Sequence, residues 1–387
     1  MENIVYDVWL SQALPYGSGK IKSIKEIYKN IDDFYKGGEY EWRLCGFLSS
    51  SDILKLKSEP LKKAESNVAL AYKSGYEIIA LFDKSYPKLL EEIYNPPGVL
   101  YVNGDVSVLN SLLPISVVGT RKALDFSKKS AYELSYELAS AGAAIVSGGA
   151  VGIDSAAHKG ALAVGGKTIL VLGCGIDYPY LMHNKEMRDN IAKNGAVISE
   201  FPPYYPGNKY TFPIRNRIIS GISKGVVVIE AGEKSGSLIT ANYACEHNRD
   251  VFVKSNPIYP LPKGSRMLVN DGAKIIENAE EILNEYSASM GIDFKVKAFE
   301  NPEQDINFND FNPKSLDPEK KEKNKVESKK VPEHLKAVYN EIEKGKIHID
   351  VLSQKTKIPV FKLLPILTEL ELLGFVRAES GRTYSIN

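Results

Sequence analysis

The chain has 387 residues, of which 43% are hydrophobic and 25% are charged, and it carries a formal net charge of +1. This length exceeds what one ordinary compact core accommodates, so two or three globular domains are expected. The near-neutral charge excludes a general affinity for polyanions, and any nucleic-acid surface must therefore be a local patch.

Cysteine spacing and hydropathy exclude further classes of protein. Cys45, Cys174 and Cys245 lack the C-x-x-C spacing of a zinc site and are too few for a disulfide scaffold, so a reducing cytoplasm is the expected location. The N-terminal residues do not combine a basic segment with an apolar one, and no run of about 18 apolar residues occurs. Neither a signal peptide nor a membrane span is expected.

Residues 1–85 are predicted to form a small helical domain. Apolar and aromatic residues recur at helical spacing, and Ser50–Asp52 offers N-cap oxygens for a helix that carries Ile53. Aromatic side chains such as Trp9 either fill the core or stack on nucleic-acid bases, and their spacing favours the core. The paired prolines that follow and the apolar run Val99–Val102 indicate a linker that finishes as an edge strand of the next domain.

Residues 86–285 are predicted to form a Rossmann-like, doubly wound α/β domain, in which strand-length apolar runs alternate with helical segments. The apolar runs are 115–118, 143–146, 168–172, 196–198, 226–229 and 251–253. The helical segments between most of them are 125–141, 152–163, 184–194, 214–222 and 236–248. Such alternation is typical of a parallel sheet covered on both faces, whose ligand lies outside the carboxyl ends of its strands.

The C-terminal part is predicted to contain a linker and a second compact domain. Residues 286–330 include the run DPEKKEKNKVESKK and few large apolar side chains, which indicates a charged flexible linker. Residues 331–387 show the pattern of a winged helix, with three helices and a two-stranded hairpin at 332–343, 349–355, 360–373, 374–376 and 382–385. Pro365 should kink the third helix or move its start.

Two strand-to-helix turns in the α/β domain predict an anion site. Gly119-Thr120-Arg121 follows one strand and Ser147-Gly148-Gly149 follows the next, so both turns should lie at one edge of the sheet. Backbone N–H groups at such turns bind phosphate, and the arginine adds a cation. The G-x-G-x-x-G motif is not intact, and Ser147 and Gly148 stand where a dinucleotide-binding domain places its acidic ribose ligand, which disfavours a dinucleotide.

Two later segments extend this predicted site. The segment KYTFPIRNR (209–217) joins a lysine, aromatic rings and two arginines, which suit phosphates and the face of a base. Phe212 either stacks on a base or fills the core. Of Arg215 and Arg217, one is expected to bind ligand while the other makes a structural ion pair. At the start of a later helix, Gly236 and Ser237 either offer N–H and hydroxyl donors to the ligand or form an ordinary helix cap.

A catalytic alternative rests on Asp154 and His158, which share a helix face at a spacing of four residues, with Glu200 and Glu230 at strand ends. A capping role for Asp154 and local packing of His158 are favoured over catalysis. No third metal ligand follows at a useful spacing. We therefore expect no catalytic residue, no metal and no cofactor.

These segments together resemble the DprA/Smf family, the DNA-processing proteins of bacterial natural transformation. The matching text runs in order across residues 86–280 and comprises SVVGTR (116–121), IVSGGAVGIDSAAHKGAL (145–162), TILVLGCGIDYPY (168–180), Asn184-Lys185, ISEFPP (198–203), FPIRNRIISGIS (212–223) and SGSLITANYA (235–244). The N-terminal helical domain, SAM-like in this family, and the winged helix are similar to the family's arrangement.

The resemblance implies a non-enzymatic protein that binds single-stranded DNA, protects incoming strands and loads a RecA-type recombinase onto them. It also implies a homodimer formed through the Rossmann-like domain. The residues expected to bind DNA are Arg121, Ser147, Gly148, Gly149, Asn184, Lys185, Lys209, Phe212, Arg215, Asn216, Arg217 and Gly236. The chain departs from several relatives after Tyr180, where Leu181-Met182-His183 stands in place of a basic residue.

The predicted recognition helix of the winged helix, 360–373, contains one lysine, Lys362, and two glutamates, Glu369 and Glu371. Groove binding needs cations, so protein docking or regulation is expected of this helix instead.

Two rival functions belong to other classes. One is a Rossmann-like enzyme that hydrolyses nucleoside monophosphates, but the loop EAGEKSGSLIT (230–240) lacks the P-G-G-x-G-T-x-x-E signature of that group. The other is a sensor of small nucleotides that signals through the winged helix.

Overall fold

The structure is a computed structural model, and it describes two compact units, Met1–Lys314 and Ser315–Asn387. The described residues are 2–179, 185–256, 259–297, 299, 335–360, 363, 365–367, 370, 375–379 and 383–386. Each unit has an apolar core of its own. Among the described residues, no helix is long and apolar enough to cross a membrane, and no group of three His, Cys, Asp or Glu side chains could hold a metal ion.

The first unit begins with five helices, α1 (Glu2–Ala13), α2 (Lys20–Ile27), α3 (Ile31–Leu44), α4 (Ser50–Ser58) and α5 (Leu61–Lys73). Trp9 and Phe34 are fully buried against each other, so these two rings fill the core. The cap of α4 is Ser49 rather than a residue of Ser50–Asp52. Its hydroxyl accepts from the Asp52 N–H at 3.2 Å, and its own N–H donates to the Asp52 carboxylate at 2.9 Å. This reciprocal capping box makes Ser49, one residue before the predicted segment, the N-cap of α4.

A sheet of nine described strands forms the middle of the first unit. The strands are β1 (Glu77–Ala80), β2 (Val99–Gly104), β3 (Pro114–Val118), β4 (Ala144–Ser147), β5 (Thr168–Val171), β6 (Ala196–Ser199), β7 (Gly225–Val228), β8 (Asp250–Lys254) and β9 (Lys274–Ile276). Their order is β1-β2-β6-β5-β4-β3-β7-β8-β9, with β3 to β9 in parallel pairs. The predicted doubly wound parallel sheet is confirmed.

One expectation about the sheet is wrong. The strand β2 is not at the edge, because β1 pairs with it antiparallel on one side, with Ile79 opposite Leu100, and β6 pairs with it on the other. The edge strand β1 is four residues long and lies in a region for which only helices were predicted. Its side chains alternate too briefly for a strand to be told from a helical turn by pattern alone.

Helices cover both faces of the sheet, as the near-continuous apolar strands predict. They are a 3₁₀ helix (Val106–Asn110) and the α-helices α6 (Lys88–Glu92), α7 (Asp125–Ser140), α8 (Ile153–Ala163), α9 (Lys185–Asn194), α10 (Thr211–Gly221), α11 (Gly236–Glu246), α12 (Lys263–Asn270) and α13 (Ala279–Met290). The helices α7, α8 and α13 share one core with the sheet, while α10 and α11 share another. The N-terminal helices pack with residues of β2, β5 and β6 in a third.

The predicted linker starts later than residue 286. The helix α13 continues to Met290, and the Phe299 ring lies 5.7 Å from Tyr132 and 5.3 Å from Tyr136 of α7, measured between ring centroids. Apolar side chains such as Phe299 pack this segment against the core. The prediction missed them because it relied on the charged residues that follow. The charged run itself lies outside the described residues.

The second unit contains α14 (Lys336–Glu343), β10 (Ile347–His348), α15 (Ile349–Thr356), β11 (Val376–Glu379) and β12 (Thr383–Ile386). The described residues 360, 363, 365–367 and 370 are helical, and Pro365 is among them. The predicted hairpin is present as β11 and β12, and the short strand β10 pairs antiparallel with β12 to give a sheet of three described strands. Lys362, Glu369 and Glu371 lie outside the described residues.

Strand order locates the ligand crevice of the first unit. From β3 the chain adds β4, β5 and β6 towards one edge of the sheet. It then returns to the other side of β3 and adds β7, β8 and β9 towards the opposite edge. The carboxyl ends of β3 and β7 are therefore the switch point, where the loops that leave neighbouring strands diverge and open a crevice.

Candidate functional site

A cavity of about 480 Å³ opens at this switch point. Its walls come from the turn after β3, the start of α8, the first half of α10, and the loop between β7 and α11. The polar, charged and aromatic residues that line it, together with one exposed glycine, are Thr120, Arg121, Asp154, Lys209, Phe212, Arg215, Asn216, Lys234, Ser235, Gly236, Ser237 and Thr240. Segments that are far apart in the sequence thus meet at one place.

Exposed positive charge and an aromatic ring line the cavity together. Among the described residues, Arg121, Lys209 and Lys234 are the exposed cations that line it. The guanidinium carbon of Arg121 lies 5.8 Å from the centroid of the Phe212 ring, within range of a cation–π contact. Phosphates can meet the cations while a base lies against the ring, which is the arrangement used by sequence-tolerant single-strand sites.

Phe212 is half-buried, so its ring can fill part of the core and still be open to a base. One side of the ring fills the space beside Gly173 and Gly207, where an added Cβ would lie 2.6 Å and 2.9 Å from ring atoms. The other side faces the cavity next to Arg121. The ring is therefore fixed in position by packing before any ligand arrives, which lowers the entropic cost of stacking.

Arg215 and Asn216 lie at the floor and wall of the cavity and hold its elements together. The Arg215 guanidinium is 5% exposed, and its Nη1 donates to the Gly148 carbonyl at 2.9 Å and to the Val171 carbonyl. Asn216 Nδ2 donates to the Gly236 carbonyl at 3.2 Å, which links α10 to the start of α11. These bonds tie the ends of β4 and β5 to α10.

Arg217 does not reach the cavity. It is 1% exposed, and its Nη2 pairs with the Glu200 carboxylate at 2.7 Å. Burial raises the pKa of Glu200, and the charge of Arg217 opposes that rise. Of the two arginines, Arg215 faces the site and Arg217 makes the structural ion pair, so the expectation that Arg217 contacts DNA is not retained.

The turn Ser147-Gly148-Gly149 supports the cavity floor and does not line it. All three residues are buried, and the Ser147 hydroxyl donates to the Val117 carbonyl at 2.7 Å. A Cβ on Gly148 would lie 2.7 Å from the Arg215 guanidinium carbon. Gly152, with φ of 91°, lets the second turn approach the Thr120 carbonyl, which a Cβ there would meet at 2.6 Å. The small residues are thus required by packing of one turn against the other.

Asp154 brings a carboxylate into the cavity. It lies in the first turn of α8, is 8% exposed and lines the cavity. Burial raises its pKa, while Arg215, Arg121 and the backbone N–H groups of Ala150 and Gly148 oppose the rise. Asp154 does not cap α8 as expected, because Gly152 holds the N-cap position and the helix start has no side-chain cap hydrogen bond.

His158 shares no site with Asp154. It is fully buried, and its Nδ1 lies 2.7 Å from the Thr168 hydroxyl, which donates in turn to the Ile145 carbonyl at 2.7 Å. Burial and the charge of Arg215 lower the pKa of His158 to about 3. The ring is a neutral part of the core, so the two residues do not form a catalytic pair.

Lys185 lies elsewhere. As the first residue of α9, it lines a separate cavity of about 260 Å³ together with Tyr76, Asn103 and Arg188. Asn184 and the segment Tyr180–His183 lie outside the described residues. The structure therefore does not bring Lys185 together with Arg121 and Phe212.

Lys234 is the residue of the cavity wall that the sequence analysis missed. It lies between β7 and α11, within the loop 230–240, where the sequence analysis selected Gly236 and Ser237 but not the lysine. A lysine in a glycine- and serine-rich loop after a buried strand carries the same signal that identified Arg121. The position of the loop at the carboxyl end of β7 was the missing information.

Comparison with known proteins gives a consistent result. A family model described as DNA recombination-mediator protein A matches residues 77–287, and a model described as DprA winged helix domain matches residues 327–382. The chain is 39% identical over 234 residues to the DNA processing protein DprA of Bacillus subtilis (strain 168), covering 60% of this chain and 79% of that protein. It is 34% identical over 326 residues to Protein Smf of Escherichia coli (strain K12), covering 84% and 81%.

Two solved structures are similar to parts of this chain. The X-ray structure of DNA processing protein A from Streptococcus pneumoniae superposes with a TM-score of 0.57 at 32% identity, over 73% of this chain and 97% of that one. DNA processing protein A from Helicobacter pylori, in a structure that addresses its single-stranded DNA binding mode, gives a TM-score of 0.50 at 32% identity, over 56% of this chain and 98% of that one.

Proposed function

The chain belongs to the DNA recombination-mediator protein A family, and from this premise we propose that it binds single-stranded DNA at the switch-point cavity without catalysing a reaction on it. The proposal extends to a role in the cytoplasm during natural transformation, where the protein protects the incoming strand and passes it to a RecA-type recombinase.

One observation carries the proposal. Three exposed cations among the described residues, Arg121, Lys209 and Lys234, line the same cavity as the half-buried ring of Phe212. Successive phosphodiesters of a flexible strand can contact such cations while a base stacks on the ring, and a duplex would withhold its base faces. The single-strand binding mode described for the Helicobacter pylori relative points to the same ligand.

The environment of the acidic residues supports binding rather than catalysis. Glu200 is paired with Arg217 away from the cavity, and His158 is bonded to Thr168 in the core. Among the described residues that line the cavity, Asp154 is the one carboxylate, and no histidine lies with it. A hydrolytic site would place a second acid or base beside this carboxylate, and neither Glu200 nor His158 lines the cavity.

A homodimer through the Rossmann-like domain fits the edge of the sheet. The edge strand β9 carries Ile275, which is 45% exposed, and the preceding helix α12 carries Met267, also an exposed apolar side chain. Exposed apolar side chains beside an unpaired strand edge are typical of a surface covered by a second chain. In a dimer, one strand of DNA could occupy two cavities in succession, which raises its effective affinity.

The test is a titration of fluorescein-labelled oligo-dT with the parent chain and the Arg121→Ala variant at several salt concentrations. Losing one charge-assisted contact should weaken binding by about 1–3 kcal/mol and reduce the slope of log K against log salt by about 0.7. Lys122→Ala is the matched control, because Lys122 is an exposed cation of the same turn that does not line the cavity. Equal binding by Arg121→Ala and the parent at every salt concentration would overturn the assignment of the cavity.

A further inference from the structure

Two large aromatic rings are exposed on the segment that leads into α10. Tyr204 is 59% exposed and Tyr210 is 66% exposed. Both lie between β6 and Phe212, the ring that lines the cavity. Aromatic rings are normally removed from water, so exposed rings grouped on one short segment indicate a surface that a ligand covers.

Hydrogen bonds hold the backbone beneath these rings in place. On either side of Tyr204, the carbonyl groups of Pro203 and Tyr205 accept N–H groups of the loop after β5, at 2.7 Å and 2.9 Å. The Tyr210 N–H donates to the side-chain oxygen of Asn208 at 2.8 Å. The two rings therefore stand on a fixed support, and a base that stacks on them needs little ordering of the protein.

The same segment connects the cavity with the surface beyond it. Lys209 lines the cavity, and its Nζ lies 5.1 Å from the centroid of the Tyr210 ring. Tyr204 lines two further cavities, of about 260 Å³ and about 330 Å³. Since eight peptide units separate Tyr204 from Phe212, their Cα atoms lie at most about 29 Å apart, a distance that several nucleotides of a single strand cover.

Charge around Tyr204 is balanced. Two cations and two carboxylates are among the described residues that line the cavity of about 260 Å³, namely Lys185, Arg188, Asp177 and Asp189. In the other cavity, Lys63 is paired with Glu59 at 2.8 Å. A phosphate gains little net attraction from such surroundings, so stacking on the ring is the interaction that Tyr204 offers to a strand.

We propose that Tyr204 is a stacking residue of an extended DNA path, which leaves the cavity at Phe212, passes Tyr210 and continues along the segment to Tyr204. This inference deepens the proposed function and rests on the cavity being the DNA site. It adds a contact that a short strand does not reach. It also adds affinity without adding a phosphate contact.

The experiment is an anisotropy titration of the full chain with fluorescein-labelled oligo-dT of about 4 and about 12 nucleotides, lengths within the range of single-strand sites. With the longer strand, we expect Tyr204→Ala to bind at least about fivefold more weakly than the parent, the lower end of the range for one lost stack. With the shorter strand, the two should bind equally. The slope of log K against log salt should stay unchanged, because no phosphate contact is lost.

Two variants serve as controls. Tyr204→Phe keeps the ring and should match the parent at both lengths. Tyr40→Ala removes another exposed ring, on α3, which lines none of these three cavities, and should also match the parent. Folding is checked by the melting temperature, and Tyr204→Gln replaces Tyr204→Ala if the latter is unfolded.

A folded variant without the Tyr204 ring that binds the longer strand as tightly as the parent overturns the inference. An equal loss at both lengths, or an equal loss in Tyr204→Phe, also overturns it. A parent that binds neither strand refutes the DNA site itself, so the failures of the two proposals are distinguishable.

Discussion

Arg215 and Arg217 lie two residues apart on α10 and have different functions because the helix turns them to different sides. The guanidinium of Arg215 meets the carbonyl groups at the ends of β4 and β5, and that of Arg217 meets the carboxylate of Glu200 in a fully buried pair. A buried pair of this kind is costly to break, because removing one partner leaves an uncompensated charge. Arg217 thus positions α10, and Arg215 presents the side of the helix that lines the cavity.

Buried histidine makes the stability of the first unit dependent on pH. His158 has a pKa lowered to about 3 in the folded chain, against about 6.5 when unfolded. A base with a lowered pKa takes up its proton first in the unfolded state, so its contribution to stability is complete above pH 6.5 and declines as the pH falls towards 3. His247, whose pKa is lowered to about 4 by burial and nearby arginines, acts in the same direction.

We expect the free energy of unfolding to fall between pH 6.5 and pH 4, by up to about 1.4 kcal/mol per pH unit for each histidine proton. Urea titrations followed by tryptophan fluorescence report on the first unit, because Trp9 and Trp42 both lie in its core. His158→Asn should be less stable at pH 7 and should show a shallower dependence on pH. An unchanged pH dependence in this variant would show that His158 is not the titrating group.

At the scale of elements, the two turns after β3 and β4 form one packed unit. Gly152 brings the second turn against the backbone of the first, and Gly148 leaves room for the Arg215 guanidinium. Arg121 on the first turn and Arg215, which bonds to the second, are therefore held on a common support. Changes in the support should alter both stability and binding.

Replacing Gly148 with alanine tests this coupling. The added Cβ would lie 2.7 Å from the Arg215 guanidinium carbon, so the side chain must move and lose its bonds to the two carbonyl groups. We expect a loss of about 1–3 kcal/mol in the free energy of unfolding, together with weaker binding of oligo-dT. Gly232→Ala is the control, since a Cβ at that exposed loop position meets nothing within 4 Å. Equal behaviour of the two variants would show that the turn does not support the site.

Sequence patterns predicted the central strands and the turns of the site because their signals are local. Apolar runs such as 115–118 define strands, and parallel strands bring their carboxyl ends to one edge. The partners of each side chain depend on tertiary packing that the pattern does not contain. The residues Ser147, Gly148 and Gly149 have the composition of a phosphate turn, yet they are buried beneath Arg215. Likewise, the edge strand β1 is defined by pairing with β2 rather than by its own four residues.

At the scale of the whole molecule, the described residues of the first unit carry every element of the proposed DNA site. The N-terminal helices share a core with β2, β5 and β6 and so stabilise the sheet from one side. The second unit has a separate core built from α14, α15 and the three strands that follow the family's winged-helix pattern. Our proposal places DNA binding in the first unit, and docking or regulation stays a prediction for the second.

The central claim is that a single strand lies across Arg121 and Phe212, and photo-crosslinking tests it most directly. The full chain is irradiated with oligo-dT that carries 5-iododeoxyuridine, and the crosslinked peptides are identified by mass spectrometry. We expect crosslinks at Phe212 or its neighbour Tyr210, reduced by the Arg121→Ala variant and not by Lys122→Ala. Crosslinks confined to residues 335–386, or crosslinks at Phe212 that Arg121→Ala leaves unchanged, would contradict the account.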